Sequence, residues 1–264
     1  MDIGELVSDA LKYPISDWTK ILILGIILVI AGIANISRTF ISDNTLISVL
    51  GIVGFIVGLL GYGYFFRIIK SSLAGISELP SFDNFVTMFV DGIKVAIVGF
   101  VYSIPAVILI LIFAASIIIS LISNPSSIPI GALIGAGVGI ILAMLYMLII
   151  TPIIAVAVAN MAYNDSEFGA AFRFSEILNK IGTIGWGNLI LWYIVTIIVY
   201  IVIAAIGGII TGLFSLISSV LTVVLMSLIV TPYLQMYVAR SVALLYSSQD
   251  MIYRSQQSET THSK

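Results

Sequence analysis

Between Lys94 and Asp165, and again between Lys180 and Arg240, the chain carries no charged side chain at all. A straight helix of about 60 residues would reach about 90 Å at 1.5 Å per residue, three times the ~30 Å hydrocarbon core of a bilayer. Each run must therefore fold back and cross an apolar layer twice. Two shorter charge-free stretches, from Lys20 to Arg38 and from Asp43 to Arg67, suit one crossing each. Apolar character is sustained without period-two alternation, which selects helices over a transmembrane barrel.

Turn-forming residues place the folds within the long runs. Ser123-Asn124-Pro125-Ser126-Ser127-Ile128-Pro129 breaks the first, and Gly212-Leu213-Phe214-Ser215 through Ser219 softens the second. The predicted fold class is all-α: an integral membrane helical bundle built from repeated helical hairpins with interfacial amphipathic segments. Its six transmembrane helices fall at about 20–37, 45–66, 94–122, 130–160, 188–211 and 219–240. They form a single domain over 1–246, and 247–264 reads as a flexible polar cytoplasmic tail.

Composition excludes several functions. Of 264 residues, 60% are hydrophobic and 9% charged, against about a quarter charged in a soluble domain. Too few charges are present to dissolve a soluble enzyme. A formal charge of −2 gives no basic footprint for nucleic acid. The chain has no cysteine, which removes disulfides, thiolate nucleophiles and cysteine-bound metals. The single histidine, His262, stands in the polar tail. The acidic opening Met1-Asp2-Ile3-Gly4-Glu5 lacks a small-residue cleavage site, so the first helix is expected to be retained.

Orientation follows from the basic residues. Lys12, Lys20, Arg67, Lys70, Lys94, Arg173, Lys180, Arg240, Arg254 and Lys264 fall on one side of a six-span layout, and Arg38 alone on the other. The positive-inside rule places the crowded side, with both termini, in the cytoplasm of a cell membrane. On that side two connections are amphipathic. After Ser81, a plausible N-cap, Phe82, Phe85, Val86, Phe89, Val90 and Ile93 share one face, opposed by Asp83, Asn84, Thr87, Asp91 and Lys94. After Ser166, Phe168, Ala171, Phe172, Ile177, Leu178 and Ile181 oppose Arg173, Glu176 and Lys180. Leu6 to Trp18 offers a third such segment. These segments either lie in the headgroup plane or cover the end of the bundle. Tyr13, Trp18, Tyr64, Phe65, Phe66, Tyr163, Trp186, Trp192 and Tyr237 cluster near the same boundary, as interfacial anchors would.

Thr151-Pro152 and Thr231-Pro232 stand eighty residues apart in corresponding helices, which suggests an internal repeat. Pro105, Pro152 and Pro232 interrupt spanning helices, either as static kinks or as hinges. Glycines at short spacing (Gly51, Gly54, Gly58, Gly61, Gly63; Gly131, Gly135, Gly139; Gly208, Gly212) predict close helix crossings or a homo-oligomer.

Ala10-Leu11-Lys12-Tyr13-Pro14 with Asp17-Trp18, and above all Glu78-Leu79-Pro80-Ser81-Phe82-Asp83, Phe89-Val90-Asp91-Gly92-Ile93-Lys94 and Tyr102-Ser103-Ile104-Pro105, carry a family likeness. Over residues 5 to 245 the chain resembles an archaeal multi-pass membrane family known as domain of unknown function 4013. Phe82 stands where that family more often has tryptophan. The resemblance implies an archaeal cell membrane and no assigned activity.

The spans hold no Asp, Glu or His, the usual marks of ion-coupled pathways. No zinc-protease, phosphate-loop or Ser/His motif occurs. The expectation is a protein that is not an enzyme, with no catalytic residue, cofactor or metal. It would be a scaffold or complex subunit that meets membrane lipid and a membrane-protein partner or a second copy of itself. The rival is a carrier or channel for a small neutral or lipidic molecule. Candidate interface or substrate-path residues are Tyr102, Pro105, Pro152, Asn160, Pro232 and Gln235 within the spans. Asp83, Asp91, Arg67 and Arg240 join them at the charged end. Asp83, Asp91, Glu167 and Glu176 could in principle hold a metal or act as a base, but the expected role is solvation or pairing with Lys94, Arg173 and Lys180.

Overall fold

A computed structural model describes residues 2–123 and 129–262, without the side chains of 116 and 249–262. Among the described residues the regular structure is helical, with no strand. Ten helices follow in order: α1 Ile3–Lys12, α2 Trp18–Ala31, α3 Ile33–Ser37, α4 Asn44–Leu73, α5 Phe85–Ser123, α6 Ile130–Tyr163, α7 Phe174–Ile184, α8 Trp186–Leu213, α9 Ser219–Leu225 and α10 Thr231–His262. Three start at an aspartate. The carboxylates of Asp2, Asp17 and Asp43 accept hydrogen bonds from the first free backbone amides of α1, α2 and α4, which an N-terminus otherwise leaves unsatisfied.

Among the described residues, five helical stretches are long and apolar enough to cross a membrane: Asn44–Leu73, Phe85–Ser123, Ile130–Tyr163, Trp186–Leu216 and Ser219–Ser248. A sixth is reached only if Ile3–Ser16 and Trp18–Ala31, bent by 82°, count as one span. The continuous first helix expected over 20–37 is broken at Gly32, whose carbonyl starts the short α3. Glycine costs about 1 kcal/mol relative to alanine in a helix interior, which makes it a natural break. Between Ser123 and Ile130 the expected breaker cluster lies largely outside the described residues, at 124–128.

The long helices expose aliphatic side chains on most of their circumference. In the most apolar window of α5 only 6% of residues are buried, and Ile108, Leu111, Ile112, Leu133, Ile134, Leu145 and Ile149 are all open. Exposed apolar patches on soluble monomers seldom exceed a few hundred Å². The chain is an integral membrane helical protein, and lipid is the medium that such surfaces require.

The chain divides into two compact units, Met1–Ala96 with Val156–Lys264, and Ile97–Ala155. Within the second, the Tyr146 hydroxyl donates to the Tyr102 carbonyl at 2.9 Å, and Gly139 lies against the Phe113 ring. In the first, the core is concentrated towards the ends that carry the charges. Every residue from Val156 to Ala162 is buried, as are Tyr64, Phe66, Ile68, Ile69, Met236, Tyr237 and Ala239. A helix covered on all sides needs an apolar or small residue at every position. Val156-Ala157-Val158-Ala159 supplies that.

Three helix limits move from expectation. No separate helix begins at Ser81: its hydroxyl donates to Asp83 Oδ2 at 2.6 Å, and α5 starts at Phe85 and runs unbroken into the span. The segment after Ser166 is a 3-10 turn over Phe168–Phe172 followed by α7. At the other end of the chain, α10 does not stop near 240. Ser241, Val242, Ala243, Leu245 and Tyr246 are buried, and the backbone stays helical to His262, through residues expected to form a loose tail. The aromatic belt also divides. Trp18, Tyr163 and Trp186 are exposed, whereas Tyr13, Tyr64, Phe66, Trp192 and Tyr237 are buried packing groups.

Candidate functional site

The most organised polar region is the charged end of the first unit, where two irregular connections are held down by side chains. An irregular segment has no ladder to satisfy its carbonyls, so other donors must reach them. For the connection between α4 and α5, five side chains do so. Arg240 Nη1 donates to Ile76 O at 3.1 Å, Tyr13 Oη to Glu78 O at 3.1 Å, and Lys20 Nζ to Leu79 O at 2.5 Å. Tyr64 Oη reaches Pro80 O at 3.0 Å, and its ring stacks on Phe82 with centroids 4.0 Å apart. The Arg67 guanidinium spans the carbonyls of Ser81, Asp83 and Asn84 and the Asp83 carboxylate. The Ser81 hydroxyl, followed by the Arg67 charge, holds the Asp83 carboxyl below the usual aspartate range.

The connection between α6 and α7 is held in the same manner. Asn160 Nδ2 donates to Ala170 O at 2.9 Å and to Glu176 Oε2 at 3.3 Å, while the Tyr246 hydroxyl donates to Asn160 Oδ1 at 2.7 Å. Lys94 Nζ reaches Ser166 O at 2.8 Å and Lys70 Nζ reaches Ser166 Oγ at 3.2 Å. These contacts fix two successive residues, Asp165 and Ser166, in the left-handed region at φ 50° and 64°, a conformation that residues other than glycine adopt seldom and at some cost. Arg173 bridges Glu167 and Glu176.

Regularity runs through these contacts. Arg67 pairs with Asp83 sixteen residues on, and Asn160 with Glu176 sixteen residues on. Asp17 pairs with Lys20 at the start of α2 and Asp91 with Lys94 within α5, each three residues apart, and each lysine donates to a carbonyl of one of the two irregular connections, Leu79 O and Ser166 O. Arg240, only 6% exposed, closes the set on the first helix. It holds the Asp9 carboxylate through Nε at 2.7 Å and Nη2 at 3.3 Å and lies over the Tyr13 ring.

Of the sequence-derived candidates, Arg67, Asp83, Asp91, Asn160 and Arg240 thus meet at this end. Gln235 lies further along α10, where its amide donates to Gly61 O on α4 at 2.6 Å. Pro232 is buried and follows a π-helical turn over Met226–Val230, which lets the chain absorb the lost proline donor. The Leu228 carbonyl that Pro232 frees rests against Gly25 of α2, where a Cβ would collide with it. Pro152 has no such turn before it, so the two Thr-Pro sites differ in geometry. Tyr102, Pro105 and Pro152 belong to the other unit, Pro105 exposed and Pro152 buried. Among the described residues no three His, Asp or Glu side chains converge on a point that a metal could occupy.

Sequence reasoning missed Asp9 and Tyr246 altogether, and read Tyr13, Lys20 and Trp192 only as anchors or orienting charges without the carbonyl contacts of the first two or the 2.6 Å Trp192 Nε1 to Ser241 Oγ bond. The recurrence of Asp-x-x-Lys ahead of two apolar runs was the available signal for the lysines.

No curated protein and no solved structure matches the chain. The profile of the family described as Protein of unknown function (DUF4013) matches residues 46–212, more than half of the chain and including the Glu78 to Pro105 stretch. The chain belongs to the DUF4013 family.

Proposed function

We propose that the protein is a non-catalytic membrane scaffold or complex subunit with both termini in the cytoplasm. The observation that carries this reading is how the polar groups in and beside the spans are used. Gln235 serves the Gly61 carbonyl, Asn160 serves Ala170 and Glu176, and Arg240 serves Asp9 and Ile76. A substrate path needs such groups turned towards the substrate; here they fasten the chain to itself. The ten-to-one distribution of basic residues supports the orientation and a cell membrane, and the family resemblance supports an archaeal one. The sixteen-residue pairings, with the Asp-x-x-Lys pairs, support descent from a repeated hairpin.

The carrier reading retains one favourable observation. The hydroxyls of Thr196 and Tyr237 are buried against each other in membrane-spanning α8 and α10, with no further polar group to complete their hydrogen bonding, an arrangement with a cost unless something polar visits. Purified protein in sealed vesicles should pass small neutral solutes no faster than protein-free vesicles. Native mass spectrometry from the same vesicles should show a defined complex. Solute flux from a free monomer overturns the scaffold reading.

A further inference from the structure

The apolar sectors of α1 and α7 are split lengthwise, and the split points to what lies beside them. On α1, Leu6 and Ala10 are buried in the protein, while the neighbouring stripe Ile3, Val7 and Leu11 is only partly covered. On α7, Ile177, Ile181 and Ile184 are buried to within 1%. The adjoining Phe174 and Leu178 are 57% and 48% exposed. Residues three and four apart share a face on a helix, so each helix has a protein-facing stripe, an open apolar stripe beside it, and then a polar sector. That polar sector is Glu5, Ser8 and Lys12 on α1, and Ser175, Glu176, Asn179 and Thr183 on α7.

α7 leads through Gly185 into the span α8, and α1 leads through a 3-10 turn at Pro14–Ser16 into the apolar helix α2; each of these following helices opens with an exposed tryptophan. Trp18 opens α2 and Trp186 opens α8, at 55% and 49% exposure. Tryptophan favours the headgroup level of a bilayer. The segment containing α1 meets α2 at 82°, so the two cannot both stand upright in a bilayer; with the apolar α2 inserted, α1 runs along the surface. The open stripes are therefore continuous with the lipid-facing surface of the spans, at the depth that the tryptophans mark.

We propose that α1 and α7 are in-plane membrane anchors: Val7, Phe174 and Leu178 enter the boundary between headgroups and acyl chains, and the polar sectors face water. This rests on the membrane reading above and names lipid, not a protein partner, as what those two stripes touch. Interfacial helices bind through just this combination of a partly buried apolar face and a charged one.

The chain has no cysteine, so single-cysteine variants of this chain need no prior engineering. Val7→Cys, Phe174→Cys, Leu178→Cys, Ser175→Cys and Leu148→Cys would carry a nitroxide in vesicles of phosphatidylcholine and phosphatidylglycerol. Collision with oxygen reports lipid, and collision with a water-soluble nickel chelate reports water. Positions 7, 174 and 178 should show an oxygen-to-nickel ratio severalfold above Ser175→Cys and approaching Leu148→Cys. Nickel-dominated collision at 174 and 178 overturns the anchor. Low collision with both reagents there also overturns it and places a second copy or another protein on the stripe. If Leu148→Cys itself shows no oxygen preference, the membrane reading fails, and the anchor with it.

Discussion

Asp9 on the first helix and Arg240 on the last stand 231 positions apart and share two hydrogen bonds, with the arginine almost wholly enclosed and the aspartate about half exposed. Because Arg240 also holds the Ile76 carbonyl, one guanidinium joins both ends of the chain to the connection between α4 and α5. A cation enclosed in this way depends on its acceptors, since removing one partner leaves a buried charge.

Asp9→Asn should therefore destabilise the protein, by roughly 1–3 kcal/mol given that the aspartate itself is half solvated. Arg240→Leu should also loosen residues 75–84. Thermal unfolding in detergent and hydrogen exchange of that segment measure the two effects. An unchanged melting temperature for both variants would show that the pair contributes nothing.

Gly63 and Gly92 form a reciprocal contact between α4 and α5. A Cβ on Gly63 would collide with the Met88 carbonyl, and a Cβ on Gly92 with the Leu59 carbonyl. Backbone atoms cannot rotate away as side chains do, so Gly63→Ala or Gly92→Ala should force the helices apart and cost several kcal/mol, at or above the usual ~1–3 kcal/mol of overpacking. Gly131→Ala, with nothing within 4 Å of its Cβ, should be neutral or slightly stabilising. Detergent melting curves of the three variants would show the contrast.

The low Asp83 pKa gives the α4–α5 connection a pH dependence with a definite sign. A carboxyl whose folded pKa lies below its unfolded value adds stability that is present above the unfolded value, about 3.9 for aspartate. That contribution is lost as pH falls through the folded pKa. Protection of residues 75–84 from exchange should hold at neutral pH and fall away below about pH 4. Asp83→Asn should show reduced protection at neutral pH and lose this part of the acid response. A wild-type response that survives Asp83→Asn intact would assign the titration elsewhere.

Ser241→Ala would leave the buried Trp192 indole N–H without its acceptor, at a cost of roughly 1–3 kcal/mol. Trp192 fluorescence should shift as its environment changes, in a variant with Trp18 and Trp186 replaced by phenylalanine. No shift and no loss of stability would mean that the indole finds another acceptor.

The sequence by itself determined the medium and the helical class. Uncharged runs such as 95–164 can be satisfied only where backbone groups bond within helices and side chains meet lipid, and that requirement is local enough to read along a chain. It also marked Arg67, Asp83, Asn160 and Arg240 as worth attention. Only the tertiary structure decided what those residues do. Whether Arg67 meets Asp83, or Arg240 meets Asp9 across 231 positions, depends on how helices pack, and composition and spacing do not encode a packing angle. The same holds for Gly25 and Gly92, which look like any other glycine until a neighbouring carbonyl is set against them. It holds also for α5, which starts at Phe85 and runs on into the span, where a separate segment after Ser81 and a span from about 94 were expected. A hydroxyl that could have capped the helix found a carboxylate two residues away, and Arg67 on another helix held that carboxylate in place.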